Sequence, residues 1–332
     1  MAKIIALWGA GLLLLVAAAI AAVLWYSLAL PGKSFSGPRP ATTQAEEALA
    51  KRLQRHVVAI ASTPHNVAYY AELQKAAAYI ESELSGLGYT PRSQRYIAGG
   101  REVRNIEATI EPDNVGPDTE SLVVGAHYDS AGYAPGANDN GTGVAAVLEL
   151  ARLLKDARPK DKRLRLVLFV NEEPPFDRTP EMGSWRYAEE LKSRGEKVAG
   201  MLSLETLGSF SDKPGSQTYP PPFDLVFPST ANFVALVALP GSRRFLHEVA
   251  ERFRAHTQVP TIGGTAPDEI EGMGWSDHWS FWKMGYPAVM ITDTALFRYP
   301  HYHRATDTPD KVDYEMLARI TLGLEQTLRD LL

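Results

Sequence analysis

One stretch of the sequence, residues 122–154, combines a short apolar run, a polar loop and an amphipathic segment. The run Leu122–Val124 is bounded by glycine and polar residues, which is typical of a buried strand. A loop rich in Gly, Asn and Pro follows, and apolar residues then recur at helical spacing up to Leu154. A strand, a loop and a helix in this order indicate an α/β fold, in which ligands bind at the carboxyl ends of strands.

This unit presents one imidazole and two carboxylates. His127 and Asp129 stand at the end of the apolar run, and the loop delivers Asp139 between two asparagines. The chain has no cysteine, which excludes disulfides and thiolate metal sites. Histidine combined with carboxylate is the ligand set expected of a hydrolytic zinc site without sulfur.

Further candidate ligands stand at the ends of other predicted strands. Glu172 and Glu173 follow the apolar run 163–171, Glu205 lies near the end of another run, and His303 stands in a polar loop. Adjacent carboxylates repel each other, so this pair favours a nearby cation. Each residue alone could be a solvated turn or a strand-end side chain. Together they predict a two-metal site at one edge of a sheet.

The order of elements predicts the fold class. Strands alternate with helices, which favours a single mixed, mostly parallel sheet sandwiched by helices and preceded by one transmembrane helix. The apolar segment 4–30 is longer than a hydrocarbon core of roughly 30 Å requires. A cleaved signal peptide is the alternative. The expected layout is a short tail (1–3), a transmembrane signal anchor (4–30), a linker (31–42) and one domain (43–332).

Charge and composition bear on partners and location. The net charge is −5, and no basic stripe with interleaved aromatics is present, which argues against nucleic-acid binding. The positive charges that flank the apolar segment are too few to orient it. A signal anchor would nevertheless give a single-pass, membrane-anchored protein with its catalytic domain outside the cytoplasm. The sequence does not indicate an oligomeric state.

Seven motifs occur in a fixed order between residues 127 and 313: HYD, GANDNGTGVAAVLELAR, NEE, MGSWRYA, SLET, SDHWSFW and YHRATDTPDKVD. In this order they resemble the M28 family of zinc aminopeptidases, and the resemblance extends over roughly residues 45–332. It implies an M28-type zinc peptidase domain. It further implies a co-catalytic di-zinc aminopeptidase that hydrolyses N-terminal residues from peptides with a free N-terminus.

The same resemblance implies a role for each candidate residue. Glu172 would be the general base that acts on a zinc-bridging water, and Asp129 would support a histidine ligand. The ligands of the two zinc ions would be His127 and Glu205 on one, Glu173 and His303 on the other, and Asp139 between them.

Two alternatives remain open. A glutaminyl cyclase shares this fold and uses one zinc ion for an intramolecular aminoacyl transfer. A non-catalytic, membrane-anchored binding ectodomain would be expected to lack some of the ligands or the base. The complete ligand set favours two metals, and with them the peptidase.

Overall fold

The computed structural model describes residues 2–332, apart from the side chains of residues 2–7, 9, 10 and 13. Within this range eight strands form one sheet. The strands are β1 (Arg92–Ala98), β2 (Arg101–Ile110), β3 (Glu120–His127), β4 (Lys162–Phe169), β5 (Val198–Glu205), β6 (Val234–Ala238), β7 (Thr261–Thr265) and β8 (Ala288–Thr292). The helices are α1 (Ala2–Leu28), α2 (Gln44–Ile60), α3 (Tyr70–Gly86), α4 (Thr142–Leu154), α5 (Gly183–Ser193), α6 (Arg243–His256), α7 (His278–Lys283), α8 (Ala295–Arg298) and α9 (Tyr314–Leu331).

The sheet is mixed. Its strand order is β1-β2-β4-β3-β5-β8-β6-β7, and the central strands β4, β3, β5 and β8 run parallel. The strands toward the edges bring in antiparallel pairs, β1 with β2, β2 with β4 and β6 with β8. Helices cover both faces, so the central strands read as continuous apolar runs rather than alternating ones. The single mixed sheet between helices that the sequence predicts is found.

Two hydrophobic cores lie on opposite faces of the sheet. Because side chains alternate along a strand, Val124 of β3 enters one core with Val147 of α4, and Val123 enters the other with Tyr187 of α5 and Phe281 of α7. Full burial of a side chain of this kind contributes about 1.5–3 kcal/mol. The two cores hold β3 and α4 in place, and with them the polar loop between these elements.

The sequence predicts a transmembrane signal anchor over residues 4–30, and this prediction is wrong. Over the part of the chain whose side chains the structure describes, no helix has both the length and the apolar character that crossing a bilayer requires. Two further predictions depend on this anchor and are wrong as well: the single-pass, membrane-anchored localisation outside the cytoplasm, and the membrane as a partner of the protein. The boundaries of the tail (1–3), the linker (31–42) and the domain (43–332) stay predictions.

The end of the apolar segment packs against the folded domain, which gives a physical reason for the error. Arg243 Nε donates a hydrogen bond of 2.8 Å to the carbonyl of Tyr26, and its guanidinium lies 4.1 Å from the centroid of the Tyr26 ring. A charged partner of this kind belongs to a protein surface rather than to hydrocarbon. Contact with the domain is confined to this end of the helix, because the described apolar side chains before it, among them Leu12 and Ile20, are exposed.

Candidate metal centre

The candidate ligands lie at the carboxyl ends of the parallel strands. β3 ends at His127, β5 ends at Glu205, and the paired glutamates 172–173 follow β4. Parallel strands direct these ends toward one edge of the sheet, so the three strands bring their side chains together. The loop between β3 and α4 adds Asp139, and the loop before α9 adds His303.

Asp139 lies between the two histidines. Its Oδ1 is 3.3 Å from Nε2 of His127, and its Oδ2 is 3.0 Å from Nε2 of His303. Glu205 Oε2 lies 3.4 Å from the first imidazole nitrogen, and Glu173 Oε2 lies 3.3 Å from the second. Three groups of one histidine and two carboxylates result, each compact enough to hold a cation. Two of them share Asp139, and the third joins His127 to Glu172 and Glu173.

Several atoms of this centre are buried without a hydrogen-bond partner, namely His127 Nε2, Asp139 Oδ2 and Glu173 Oε1. Leaving a buried polar group unsatisfied costs about 1–3 kcal/mol. A cation shared by the converging atoms would supply the missing partner. Imidazole nitrogen and carboxylate oxygen are ligands that zinc accepts, so the residues present fit this metal.

The electrostatics of the centre also favour a cation. Burial raises the pKa of Glu173 to about 8, and the neighbouring Asp139 adds to this effect. Burial likewise raises the pKa of Glu172 well above its usual range, against the opposing influence of His127. Burial lowers the pKa of His303, but Asp139 and Glu173 outweigh it and raise that pKa to about 11. The carboxylates therefore need positive charge beside them, which protons or a metal ion can provide.

Asp129 holds both the histidine and the glutamates. Its backbone carbonyl accepts a hydrogen bond of 3.0 Å from Nδ1 of His127, which leaves Nε2 directed at the centre. Its carboxylate accepts hydrogen bonds from the backbone N–H groups of Glu172 (3.0 Å) and Glu173 (3.2 Å). The Asp129 carboxylate itself lies 3.7 Å from Nδ1. Contact with His127 thus runs through the main chain, while the carboxylate positions the loop after β4.

Asp307 is a residue that sequence reasoning misses. It is buried, and its carboxylate accepts hydrogen bonds from the backbone N–H groups of Asn138 (2.8 Å) and Asp139 (3.1 Å) and from the hydroxyl of Tyr299 (2.7 Å). These bonds fix the loop that carries Asp139. The available signal was the position of Asp307 four residues after His303 in the same motif.

Ser276 and Asn140 are also missed, and both contact Glu205. The hydroxyl of Ser276 donates a hydrogen bond of 2.9 Å to Glu205 Oε2. The amide of Asn140 lies 3.4 Å from the same oxygen and donates a shorter bond of 2.8 Å to the carbonyl of Leu204. The orientation of Glu205 is therefore set from two loops. Ser276 begins the SDHWSFW motif, and Asn140 follows the predicted ligand Asp139.

A cavity of about 110 Å³ opens beside the centre. Glu205 and Tyr302 line its near end, and the Tyr302 ring stacks on the His303 imidazole with 3.9 Å between ring centroids. Most of the remaining lining is apolar. It includes Leu28, Phe223, Phe227, Val237, Met290 and Phe297.

Comparison of the sequence with known proteins agrees with the metal centre described above. Residues 105–328 match the sequence profile of Peptidase family M28. The protein named "Uncharacterized protein YfbL" from Escherichia coli (strain K12) is 34% identical over 298 residues, covering 87% of this chain and 88% of the relative. Leucine aminopeptidase 1 from Arthroderma otae is 27% identical over 295 residues, covering 82% of this chain and 72% of the relative.

Solved structures share the fold. BSAP, a zinc aminopeptidase from Bacillus subtilis, superimposes with a TM-score of 0.64 at 16% identity, covering 85% of this chain and 95% of the other. Glutaminyl cyclase from Fimbriiglobus ruber superimposes with a TM-score of 0.60 at 18% identity, covering 91% of this chain and 99% of the other. The same fold thus occurs in proteins named for two different reactions.

Proposed function

Because this chain belongs to peptidase family M28, we propose that it is a zinc-dependent aminopeptidase that removes N-terminal residues from peptides. The observation that carries the proposal is the position of Asp139. One of its oxygens lies 3.3 Å from the imidazole of His127 and the other 3.0 Å from the imidazole of His303. A carboxylate shared between two histidine groups is the arrangement that two neighbouring zinc ions require.

Each zinc ion would be held by one histidine and one glutamate, with Asp139 common to both. Zinc at these positions would polarise the scissile carbonyl and lower the pKa of the attacking water. The ligands would be His127 and Glu205 for one ion and Glu173 and His303 for the other.

Glu172 is the proposed general base. Its carboxylate Oε2 lies 3.8 Å from Nε2 of His127, and its main chain is held by Asp129. It points into the centre but is not needed to complete either group around Asp139. Glu172 would take a proton from the attacking water and deliver it to the leaving amine.

The surroundings of the centre suit a peptide with a free N-terminus and an apolar first residue. The carboxylates clustered at the near end of the cavity attract the positive charge of an N-terminal amine. The apolar lining accepts an aliphatic or aromatic side chain. With a volume of about 110 Å³, the cavity is of the order of one that holds benzene, at about 150 Å³. Leucine, methionine and phenylalanine are the expected first residues.

The test is hydrolysis of aminoacyl-p-nitroanilides by the purified full-length chain. The wild type should be active with zinc, lose activity with a chelator and regain it when zinc is restored. Glu172→Gln should lower kcat by roughly 10²–10⁴-fold and keep its zinc, because it removes proton transfer and no ligand. Glu189→Gln, with a side chain 52% exposed on α5, is the matched control. Full activity in Glu172→Gln would contradict the proposed role of this residue.

Cyclisation of N-terminal glutamine is the second candidate, favoured by the likeness to the Fimbriiglobus ruber enzyme. A peptide with N-terminal Gln distinguishes the two reactions by mass, because cyclisation releases ammonia and hydrolysis releases an amino acid. Two zinc ions per chain with release of the amino acid is the expected result. One zinc ion with release of ammonia would favour the cyclase instead.

A further inference from the structure

The last turn of α1 and the residues that follow it are fastened along the outer edge of the sheet. We name residues 26–34 the edge segment. Arg243 holds its beginning through the carbonyl of Tyr26, at 2.8 Å. Arg254 Nη1 donates a hydrogen bond of 2.8 Å to the carbonyl of Leu30 and further bonds to the next two carbonyls, at 2.9 and 3.0 Å. Both arginines belong to α6, so a helix of the domain fixes the position of this segment.

Leu28 lies on strand β7 at a point where the strand carries Gly264. A Cβ atom at Gly264 would lie 2.8 Å from Leu28 Cδ2 and 2.5 Å from the carbonyl oxygen of Ser27, closer than such atoms approach in real proteins. Glycine at this position therefore allows Leu28 to rest directly on the strand. From there the Leu28 side chain lines the cavity beside the metal centre.

The register of the sheet places Leu28 at the opposite end of the cavity from the candidate metal ligands. One row of paired residues crosses the sheet beneath the cavity and lines it: Glu205 on β5, Thr292 on β8, Ala235 on β6 and Ile262 on β7. Gly264 is two residues beyond the last of these and faces the same side of the sheet. Three strand spacings separate β5 from β7, or about 14 Å, so Leu28 closes the far end.

We propose that Leu28 is the end wall of the pocket for the substrate's first side chain, and that it sets how long this side chain can be. The inference rests on the proposed aminopeptidase function. Leu28 lies outside the residues 105–328 that match the peptidase family. The wall is therefore supplied by chain that precedes the matched region, and the matched region alone does not account for side-chain preference.

The first test compares substrates of different size on the full-length chain. Leu28→Trp should lower kcat/KM for phenylalanyl-p-nitroanilide at least tenfold relative to alanyl-p-nitroanilide, mainly through KM, because the larger ring shortens the pocket. Leu28→Ala should shift the same ratio in the opposite direction. Leu15→Trp, on the same helix at a position 70% exposed, is the matched control and should leave the ratio unchanged. An unchanged ratio in both Leu28 variants would overturn the proposal.

The second test measures binding without turnover, so it separates failure of the wall from failure of the proposed function. n-Alkylamines of three to fourteen carbons carry an amine and an apolar tail but no bond to cleave, and the longer members span the distance to Leu28. In calorimetry their affinity should rise about fourfold for each methylene that enters the pocket. The rise should stop at a shorter chain in Leu28→Trp than in the wild type, and at a longer one in Leu28→Ala.

The two tests then give distinct outcomes. If the wild type hydrolyses no aminoacyl substrate but the two Leu28 variants show these shifts in alkylamine binding, the peptidase proposal is contradicted. Leu28 is then still the end wall of the pocket. The same end point in all three proteins, or no dependence on chain length, would refute the wall. Because the two substitutions predict opposite shifts, a general loss of folding cannot imitate the expected result.

Discussion

Oδ2 of Asp139 and Nε2 of His303 lie 3.0 Å apart, yet they are not aligned for a hydrogen bond. Two polar atoms so close, neither directed at the other, are expected where both face a common third atom. The residues grouped with this pair supply further ligand types, an imidazole and three glutamates. The side chains are thus arranged as ligands that converge on one position, where a cation could bind.

Removal of metal should therefore destabilise the protein. A chelator should lower the melting temperature, and added zinc should restore it, because a metal ion that binds only the folded state stabilises that state. Asp139→Asn should reduce the zinc content below two ions per chain by elemental analysis, because the shared ligand loses charge on both sides. Asp156→Asn, at an exposed position after α4, is the control and should bind zinc as the wild type does. Equal zinc content in Asp139→Asn and the wild type would contradict the shared-ligand assignment.

Asp307→Asn should weaken the centre without removing a ligand. An amide in place of the carboxylate loses one of the acceptors that hold the N–H groups of Asn138 and Asp139. Substitution of such supporting residues typically costs about 10–100-fold in metal affinity or activity. Zinc affinity by competition with a chelator, measured together with kcat/KM, checks this expectation. Asp310→Asn, exposed in the same loop, should behave as the wild type; similar losses in both variants would show that the loop tolerates no change of charge.

Acid should destabilise the protein partly through Glu149 of α4. Burial alone would raise the pKa of this carboxyl, but hydrogen bonds from His56, Arg152 and Arg52 outweigh it and lower the pKa to about 2. A depressed pKa in the folded state stabilises the protein above the unfolded value near 4.5, and this stability is lost as pH falls toward 2. The shift corresponds to about 3 kcal/mol.

Denaturant unfolding between pH 6 and pH 2 measures this contribution. Glu149→Gln should lower the free energy of unfolding at pH 6 and flatten its decline toward pH 2. Glu189→Gln, at an exposed position, should keep the wild-type slope. A slope in Glu149→Gln as steep as in the wild type would mean that other carboxyl groups dominate acid unfolding.

Gly200→Ala should destabilise the sheet near the start of β5. A Cβ atom at Gly200 of β5 would lie 2.2 Å from the ring of Phe245 on α6, so this buried ring would have to shift. Overpacking of this kind costs about 1–3 kcal/mol, which thermal or denaturant unfolding resolves. Gly86→Ala is the control, because nothing lies within 4 Å of a Cβ atom there. Equal stability of the two variants would show that the Phe245 ring can shift at little cost.

The central strands could be predicted from the sequence because burial on both faces gives them continuous apolar runs. The apolar run before His127 and the run 163–171 are such strands, and the residues at their ends converge as expected. Helix α2 begins after Thr43 with a capping box, in which the Thr43 hydroxyl accepts a hydrogen bond of 3.2 Å from the N–H of Glu46, and this signal lies in the local sequence. Local signals were sufficient for these elements.

Other elements carry no local signal. β1 (Arg92–Ala98) is an edge strand with a largely polar sequence, so no apolar run reveals it. β7 (Thr261–Thr265) contains Gly263 and Gly264, and adjacent glycines in a sequence indicate a loop rather than a strand. Their purpose is visible only in three dimensions, because the main chain of Leu236 and the side chain of Leu28 lie against them. The contact between Tyr26 and Arg243 of α6 likewise joins residues distant in sequence, and an apolar run read alone does not reveal it.

The arginine-fastened edge segment also bears on how this protein should be produced. A truncated version that starts at residue 43 would keep every proposed zinc ligand but would discard Leu28 together with residues 26–34. The pocket proposed for the substrate's first side chain would then be open to solvent at its outer end. Such a fragment would be expected to accept longer side chains than the intact chain, so selectivity measured on it would describe a different enzyme.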